Sequence, residues 1–193
     1  MAAPPLEAWL RAVVEQPGLT SLDLTAARVA LLEDSLRVAD LLGRWEGEIV
    51  DVGSGNGAPG IPLAHALPAR QFRLLEAERR RCDFLERWSP PNARVVWGRA
   101  EEQEVDAAGV ALAKALAPPP VAAEWCLPLV RPGGAVILWV GETADLDRLA
   151  HVAGLLAAES IEAPRGLAVL QKLGPTPAGF PRRPGIARKR PLG

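Results

Sequence analysis

Two periodicities divide the chain. Up to Leu42 the apolar residues recur every three or four positions. In PPLEAWLRAVVEQ, Leu6, Trp9, Leu10 and Val13 share one helical face, which Pro17 and Gly18 close. DLTAARVALLEDSLRVADLL repeats the pattern through Leu24, Val29, Leu32, Leu36 and Val38, and predicts one helix ended by Gly43. Then the period changes. EIVDVG, QFRLLE, ARVVWG, GVALAKA and GAVILWVG are short apolar runs, rich in β-branched residues and closed by small or acidic ones. Such runs fit strands buried on both faces, as a parallel sheet requires. Between them PGIPLAHAL, AERRRCDFLERW, PPVAAEWCLPLV and ETADLDRLAHVAGLLAA suit helices. Strand and helix in alternation predict a doubly wound, mostly parallel α/β sheet. The expected organisation is a helical region over 1–43, an α/β core over 44–174 and a tail over 175–193. The last twenty residues carry five prolines and are expected to be irregular.

Composition changes this picture little, and charge changes it more. A chain of 193 residues is long enough to bury a substantial core. No apolar run approaches the roughly 18 residues that span a bilayer, and the first residues lack the basic-then-apolar order of a signal peptide. A cytoplasmic protein is expected, with Cys82 and Cys126 as isolated reduced thiols. With His65 and His151 scattered, no metal site is expected. The net charge is −1, yet from Arg165 onward there are seven basic residues and no acidic one, so the first 164 residues carry about −8. A basic tail on an acidic body suggests an anionic partner, with nucleic acid foremost.

The chemistry concentrates in IVDVGSGNGAPGIPL. Gly53, Gly55 and Gly57 follow the first strand, so backbone can approach a ligand closely, and the next helix offers free N–H groups. No Gly-Lys-Ser/Thr follows, which argues against a Walker loop. Gly55, Gly57 and Gly60 fit a dinucleotide fingerprint, but Asp51 stands two residues before the first glycine. A carboxylate there repels a pyrophosphate and can accept from the amino group of S-adenosylmethionine, directly or through water. Charge therefore favours the sulfonium cofactor. Glu76 closes the second strand, where a carboxylate can bind the two ribose hydroxyls. Ala100 and Glu101, in WGRAEE, occupy the place where a class I methyltransferase clasps adenine.

Together these stretches resemble one family: RsmG, also called GidB, the bacterial 16S ribosomal RNA guanine N7-methyltransferases. DVGSGNGAPGIPLA looks like that family's cofactor loop, including the Pro-Gly-Ile-Pro after the glycines. LLEAERRRCDFL is similar to its second-strand acid and basic helix, and GRAEE to its adenine-side segment. LDLTAARVALLEDSL resembles its Asn-Leu-Thr-Ala and Asp-Ser-Leu helix. RGLAVLQKLGPTPAGFPRRPGIARKRPL looks like its closing strand and Tyr-Pro-Arg-Arg-x-Gly ending, with Phe180 in the tyrosine's place. The likeness covers about residues 20 to 193. The chain departs from the pattern after the fourth strand, where Ala113, Lys114 and Ala115 replace Ser-Arg-Ala. It departs again at Val140-Gly141, where the fifth strand usually ends Lys-Gly, and at Leu32-Glu33, where a basic-histidine signature usually stands.

The resemblance implies a Rossmann-like class I fold and methyl transfer from S-adenosylmethionine to 16S rRNA, free or in the small subunit. The expected cofactor residues are Asp51, Gly53, Gly55, Gly57, Ala58, Glu76, Ala100, Glu101 and Lys114. Arg182, Arg183, Arg188, Lys189 and Arg190 are the expected RNA contacts. Guanine N7 carries a lone pair and no proton, so no general base is required and no catalytic residue is nominated. Trp45, Trp88, Trp97, Trp125 and Trp139 lie mostly in apolar runs and read as core. Two alternatives stay open at this point: a small-molecule methyltransferase of the same fold, and a nucleotide-binding Rossmann module without catalysis.

Overall fold

A computed structural model describes residues 4–192. The first three residues of the expected helical region and the last of the expected tail lie outside the described residues. A seven-stranded sheet forms the centre, in the order β3-β2-β1-β4-β5-β7-β6. Its strands are β1 (Ile49–Val52), β2 (Phe72–Glu76), β3 (Ala93–Trp97), β4 (Ala108–Ala113), β5 (Val130–Trp139), β6 (Ala158–Ile161) and β7 (Leu167–Lys172). The first five run parallel, and β7 pairs antiparallel with both β5 and β6. The order reverses at β1, whose neighbours are β2 and β4, and that is where an open α/β sheet leaves a crevice at its carboxyl edge.

The helices are α1 (Leu6–Glu15), α2 (Leu24–Ala27), α3 (Asp34–Leu36), α4 (Ala39–Leu42), α5 (Gly60–Ala66), α6 (Arg79–Trp88), α7 (Pro119–Cys126), α8 (Leu146–Leu155) and α9 (Ile186–Lys189). The expected face of α1 buries Trp9, Leu10 and Val13 against Ile61 of α5, Leu74 of β2 and Phe84 and Leu85 of α6. On the opposite face, Cys126 of α7 and Leu149 and Val152 of α8 pack on Val50, Ala111 and Val136 of the strands. Both cysteines are buried free thiols. Strand β1 is buried at all four positions, Asp51 among its apolar residues included.

Four expectations need correction. The helix predicted over 23–42 is not continuous. Asp23 caps it, its side chain accepting from Ala26 N at 2.8 Å. Residues Arg28–Glu33 then widen into π geometry, and Arg37 and Val38 break the run before α4. Side chains share in the bonding of the widened turn: Ser35 Oγ donates to Leu31 O at 2.6 Å, and Lys114 Nζ donates to Ala30 O. Strand β3 is only half-buried, because it is an edge strand and has a neighbour on one side alone. Strand β6 was not expected: it carries Glu159 and Ser160 on an exposed edge, so no apolar run marks it. Finally, the tail is irregular up to Gly185 but then forms α9, whose Ala187 is buried, while Phe180 and Leu192 pack on the α7–α8 side of the core.

Candidate active site

The loop after β1 is built for its conformation. Gly53, Gly55 and Gly57 have φ of +70°, +55° and +100°, in the left-handed region that side chains disfavour. They differ in what surrounds them. A Cβ on Gly53 would stand 2.3 Å from Leu116 Cδ1, and one on Gly57 2.5 Å from Ile61 Cδ1. A Cβ on Gly55 meets only ordinary contacts, so there the turn is what demands glycine. Gly53→Ala is accordingly expected to cost about 1–3 kcal/mol in denaturant unfolding, and to push Leu116 into the cavity described next.

A cavity of about 230 Å³ opens at the carboxyl ends of β1, β2 and β4. Gly53, Glu76, Ala100, Glu101, Leu116 and Trp125 are among its lining residues. Glu76 is 6% exposed and braces the turn as well as facing the cavity: Oε2 accepts from Gly55 N at 2.8 Å and Oε1 from Glu78 N at 2.8 Å. An ionised carboxylate offers about four acceptor positions, so roughly two remain for a diol. Ala100 begins a single tight turn, where no intrahelical acceptor reaches its N–H. A carboxylate with spare acceptors, a free backbone donor and apolar walls fit the adenosine of S-adenosylmethionine. Glu76→Gln puts an amide NH2 against one of the two backbone N–H groups and leaves fewer acceptor positions for a diol. It is expected to weaken cofactor binding about 10- to 100-fold by calorimetry.

Other expected cofactor residues lie elsewhere. Asp51 sits beneath the loop and not on the cavity wall. It is 1% exposed, and its Oδ2 accepts from Gly60 N at 3.1 Å. Burial raises its carboxyl to about 7, against the Ser54 and Gly60 hydrogen bonds that lower it. Asp51, expected to meet the cofactor directly or through water, thus lies under the turn and outside the cavity lining. Ala58 is buried, and its N–H donates to Asn56 Oδ1 at 3.1 Å, a side chain-to-backbone turn that shapes the loop. Trp9 of α1 holds the same loop from outside, its Nε1 donating to Asn56 O at 3.0 Å. Lys114 turns away from the cavity. Its Nζ lies 2.6 Å from Asp34 Oδ2 and 5.3 Å from the centre of the Trp139 ring. Burial lowers its pKa and Asp34 opposes that shift. Lys114 thus moors the N-terminal helices to the end of β4, and Asp34 was a partner that spacing along the chain could not show.

The basic tail is docked along the cavity. Gly185 N donates to Glu101 Oε1 at 3.0 Å, and Arg188 contributes to the cavity lining. So Glu101 holds the tail in addition to lining the cavity, and Arg188 stands at the cavity rather than out on an arm. Arg182 places both arms of its guanidinium on the buried carboxylate of Glu124 in α7, and its Nη2 also donates to Arg190 O at 2.9 Å. Arg182 is therefore a structural ion pair in this geometry, not a free phosphate ligand. Arg183, Lys189 and Arg190 remain exposed. Sequence reasoning missed Arg81, Leu116 and Trp125 in the lining. Only Arg81 left a trace, as the third arginine of the helix that follows Glu76.

Among the described residues no group of three or more His, Cys, Asp or Glu is placed to hold a metal, and no helix is long and apolar enough to cross a membrane.

Solved structures share this architecture. An S-adenosylmethionine-dependent O-methyltransferase from Thermotoga maritima superposes with a TM-score of 0.61 at 17% identity, covering 88% of this chain and 72% of its own. The T. thermophilus 16S rRNA N2 methyltransferase RsmC, in complex with AdoMet and guanosine, gives 0.52 at 18% identity over 73% of this chain and 40% of its own. At these identities the likeness establishes the class I methyltransferase fold. Sequence carries it further. "Ribosomal RNA small subunit methyltransferase G" of Synechococcus sp. strain JA-2-3B'a(2-13) is 39% identical over 189 residues, which span 84% of this chain and 73% of that protein. The protein of the same name from Rubrobacter xylanophilus is 36% identical over 173 residues, 77% of this chain and 66% of its own. Residues 10–162, from α1 to just beyond β6 and including the glycine turn, Glu76 and the segment at Ala100, match the model of the GidB family, rRNA small subunit methyltransferase G, and the chain belongs to that family.

Proposed function

We propose that this protein transfers a methyl group from S-adenosylmethionine to guanine N7 in the 16S RNA of the small ribosomal subunit. The observation that carries this reading is one cavity with two kinds of wall. Its floor is the glycine turn with Glu76, and its rim is a docked basic tail. The names of the relatives support the RNA substrate, and the family resemblance supports the N7 position.

The cofactor supplies a methyl group on a sulfonium, and the chain's residues supply its position. Glu76 is the ribose acceptor, Ala100 N–H the adenine donor, and Asp51 a negative charge below the methionine end. Guanine N7 loses no proton on attack, so the site needs no general base. Orientation of two bound reactants can supply on the order of 7–11 kcal/mol of barrier reduction. Among the tail residues, Arg183, Lys189 and Arg190 are exposed and placed to meet RNA phosphates.

The test incubates the purified protein with methyl-labelled S-adenosylmethionine and either unmodified 16S rRNA or small subunits carrying it. The RNA is then digested to nucleosides for mass spectrometry. Label in 7-methylguanosine is the expected result, and the preferred form of the substrate follows from the two arms. Label on another atom, or on no nucleoside, overturns the assignment. RNA affinity should also fall with rising salt, since phosphate contacts release counterions.

A further inference from the structure

Trp97 does not belong to the core. It closes the edge strand β3 and is 62% exposed, whereas Trp9 and Trp45 are buried. The exposed ring is nevertheless held in place. Its Nε1 donates to Ala77 O at 3.1 Å, and the Arg79 guanidinium lies over it, 5.6 Å from the ring centre. A recess of about 270 Å³ adjoins the ring, lined by Ala77, Trp97, Gly98, Arg99 and Glu102. Ala77, Gly98 and Arg99 also line the cofactor cavity, so the recess opens beside its mouth.

The charges around the ring point to one kind of occupant. Arg99, which lines the same recess, is exposed and has no ion-pair partner among the described residues. The acidic groups nearby are each engaged. Asp83 meets Arg79 Nε at 3.3 Å, Glu102 Oε2 accepts from Arg99 N at 3.3 Å, and Glu101 holds Gly185. A fixed aromatic face beside one unpaired guanidinium, that of Arg99, is what an unpaired base and its phosphate require. Such stacking tolerates any base, because every base has a π-face. We infer that Trp97, with Arg79 and Arg99, is a stacking platform for an unpaired RNA base next to the entrance of the cofactor cavity. This inference rests on the proposed RNA substrate and adds a second contact region to the basic tail. The platform takes a nucleotide flanking the target, and leaves the approach to the methyl donor to the base that is methylated.

The experiment compares wild type, Trp97→Ala and Trp97→Phe for binding to protein-free 16S rRNA and to assembled small subunits. Binding of S-adenosylhomocysteine is measured in parallel. Trp97→Ala is expected to weaken rRNA binding about tenfold, while Trp97→Phe keeps most of it, since the face and not the N–H does the stacking. Cofactor affinity is unchanged in both variants. Unchanged rRNA affinity in Trp97→Ala overturns the platform. So does a parallel loss of cofactor affinity, which would assign the ring to the cofactor site. A loss seen only with assembled subunits also overturns it, in favour of a protein partner. Failure of the wild type to bind rRNA at all would instead remove the RNA substrate itself.

Discussion

Arg182→Ala is expected to lower the free energy of unfolding by about 3 kcal/mol, more than it alters RNA binding through any lost phosphate contact. The reason lies in Glu124, which is only 3% exposed and meets both arms of the Arg182 guanidinium. Removing the arginine leaves a buried carboxylate without a counter-charge, and this is far costlier than losing a surface ion pair. For a domain of this size the thermal midpoint falls by roughly 6–12 °C. Replacing both partners with apolar residues, as in Glu124→Leu with Arg182→Met, should recover most of the loss, because no charge then stays buried. Arg183→Ala makes the contrast. Arg183 is exposed and has no ion-pair partner among the described residues, so its loss leaves the midpoint in place and reduces the salt slope of RNA binding by roughly one. An unchanged midpoint for Arg182→Ala, with weakened RNA binding, would return Arg182 to the RNA surface.

This division of labour has a consequence for the cofactor. The Arg182–Glu124 pair fixes the tail on α7, and the same tail brings Gly185 to Glu101 and Arg188 to the cavity. Loosening the pair is therefore expected to open one wall of the cavity. On the proposed function, RNA drawn to the exposed basic residues of the tail would act on a segment that also lines the proposed cofactor cavity.

The parts legible from sequence were those where local chemistry dictates structure. A turn with three left-handed residues demands glycine, and it did so visibly at Gly53, Gly55 and Gly57. Strands β1, β2, β4 and β5 lie within the sheet and carry short apolar runs, interrupted by Asp51 in β1 and Arg73 in β2. Strand β3 reads the same in sequence, since an apolar run does not state whether a strand has one neighbour or two. That is why Trp97 was placed in the core and proved exposed. Strand β6 has the polar face of an edge and left no run to find. Charged residues were the least legible. Arg182 and Lys114 look like solvated cations along the chain, yet Glu124 and Asp34, their partners, stand 58 and 80 positions away. Only the fold closes those separations. Asp51 was singled out for its place before the glycines, but its depth beneath Gly60 depends on how α5 packs against β1 and β2.

That depth is expected to make cofactor affinity depend on pH. Burial holds the Asp51 carboxyl near 7, so without ligand it is about half ionised in neutral solution. The methionine end of the cofactor brings an ammonium and a sulfonium, and both favour the ionised form. Binding then draws a proton off Asp51. Affinity is expected to rise through pH 7 and to fall about tenfold from pH 8 to pH 6, tracking the ionised fraction. Stability runs the opposite way. The folded carboxyl titrates near 7 against 3.8 ordinarily, so between these values the folded chain holds a proton that the unfolded chain has released. The stabilisation from this group is complete below about pH 4 and is lost as pH rises through 7. Asp51→Asn cannot titrate. It should flatten both profiles between pH 6 and 8 and, lacking the charge, bind the cofactor about tenfold more weakly at pH 7.5. Calorimetric titration at several pH values, with denaturant unfolding of the ligand-free protein alongside, reads both slopes. If wild-type affinity is the same at pH 6 and pH 8, Asp51 is not the charge that receives the methyl donor.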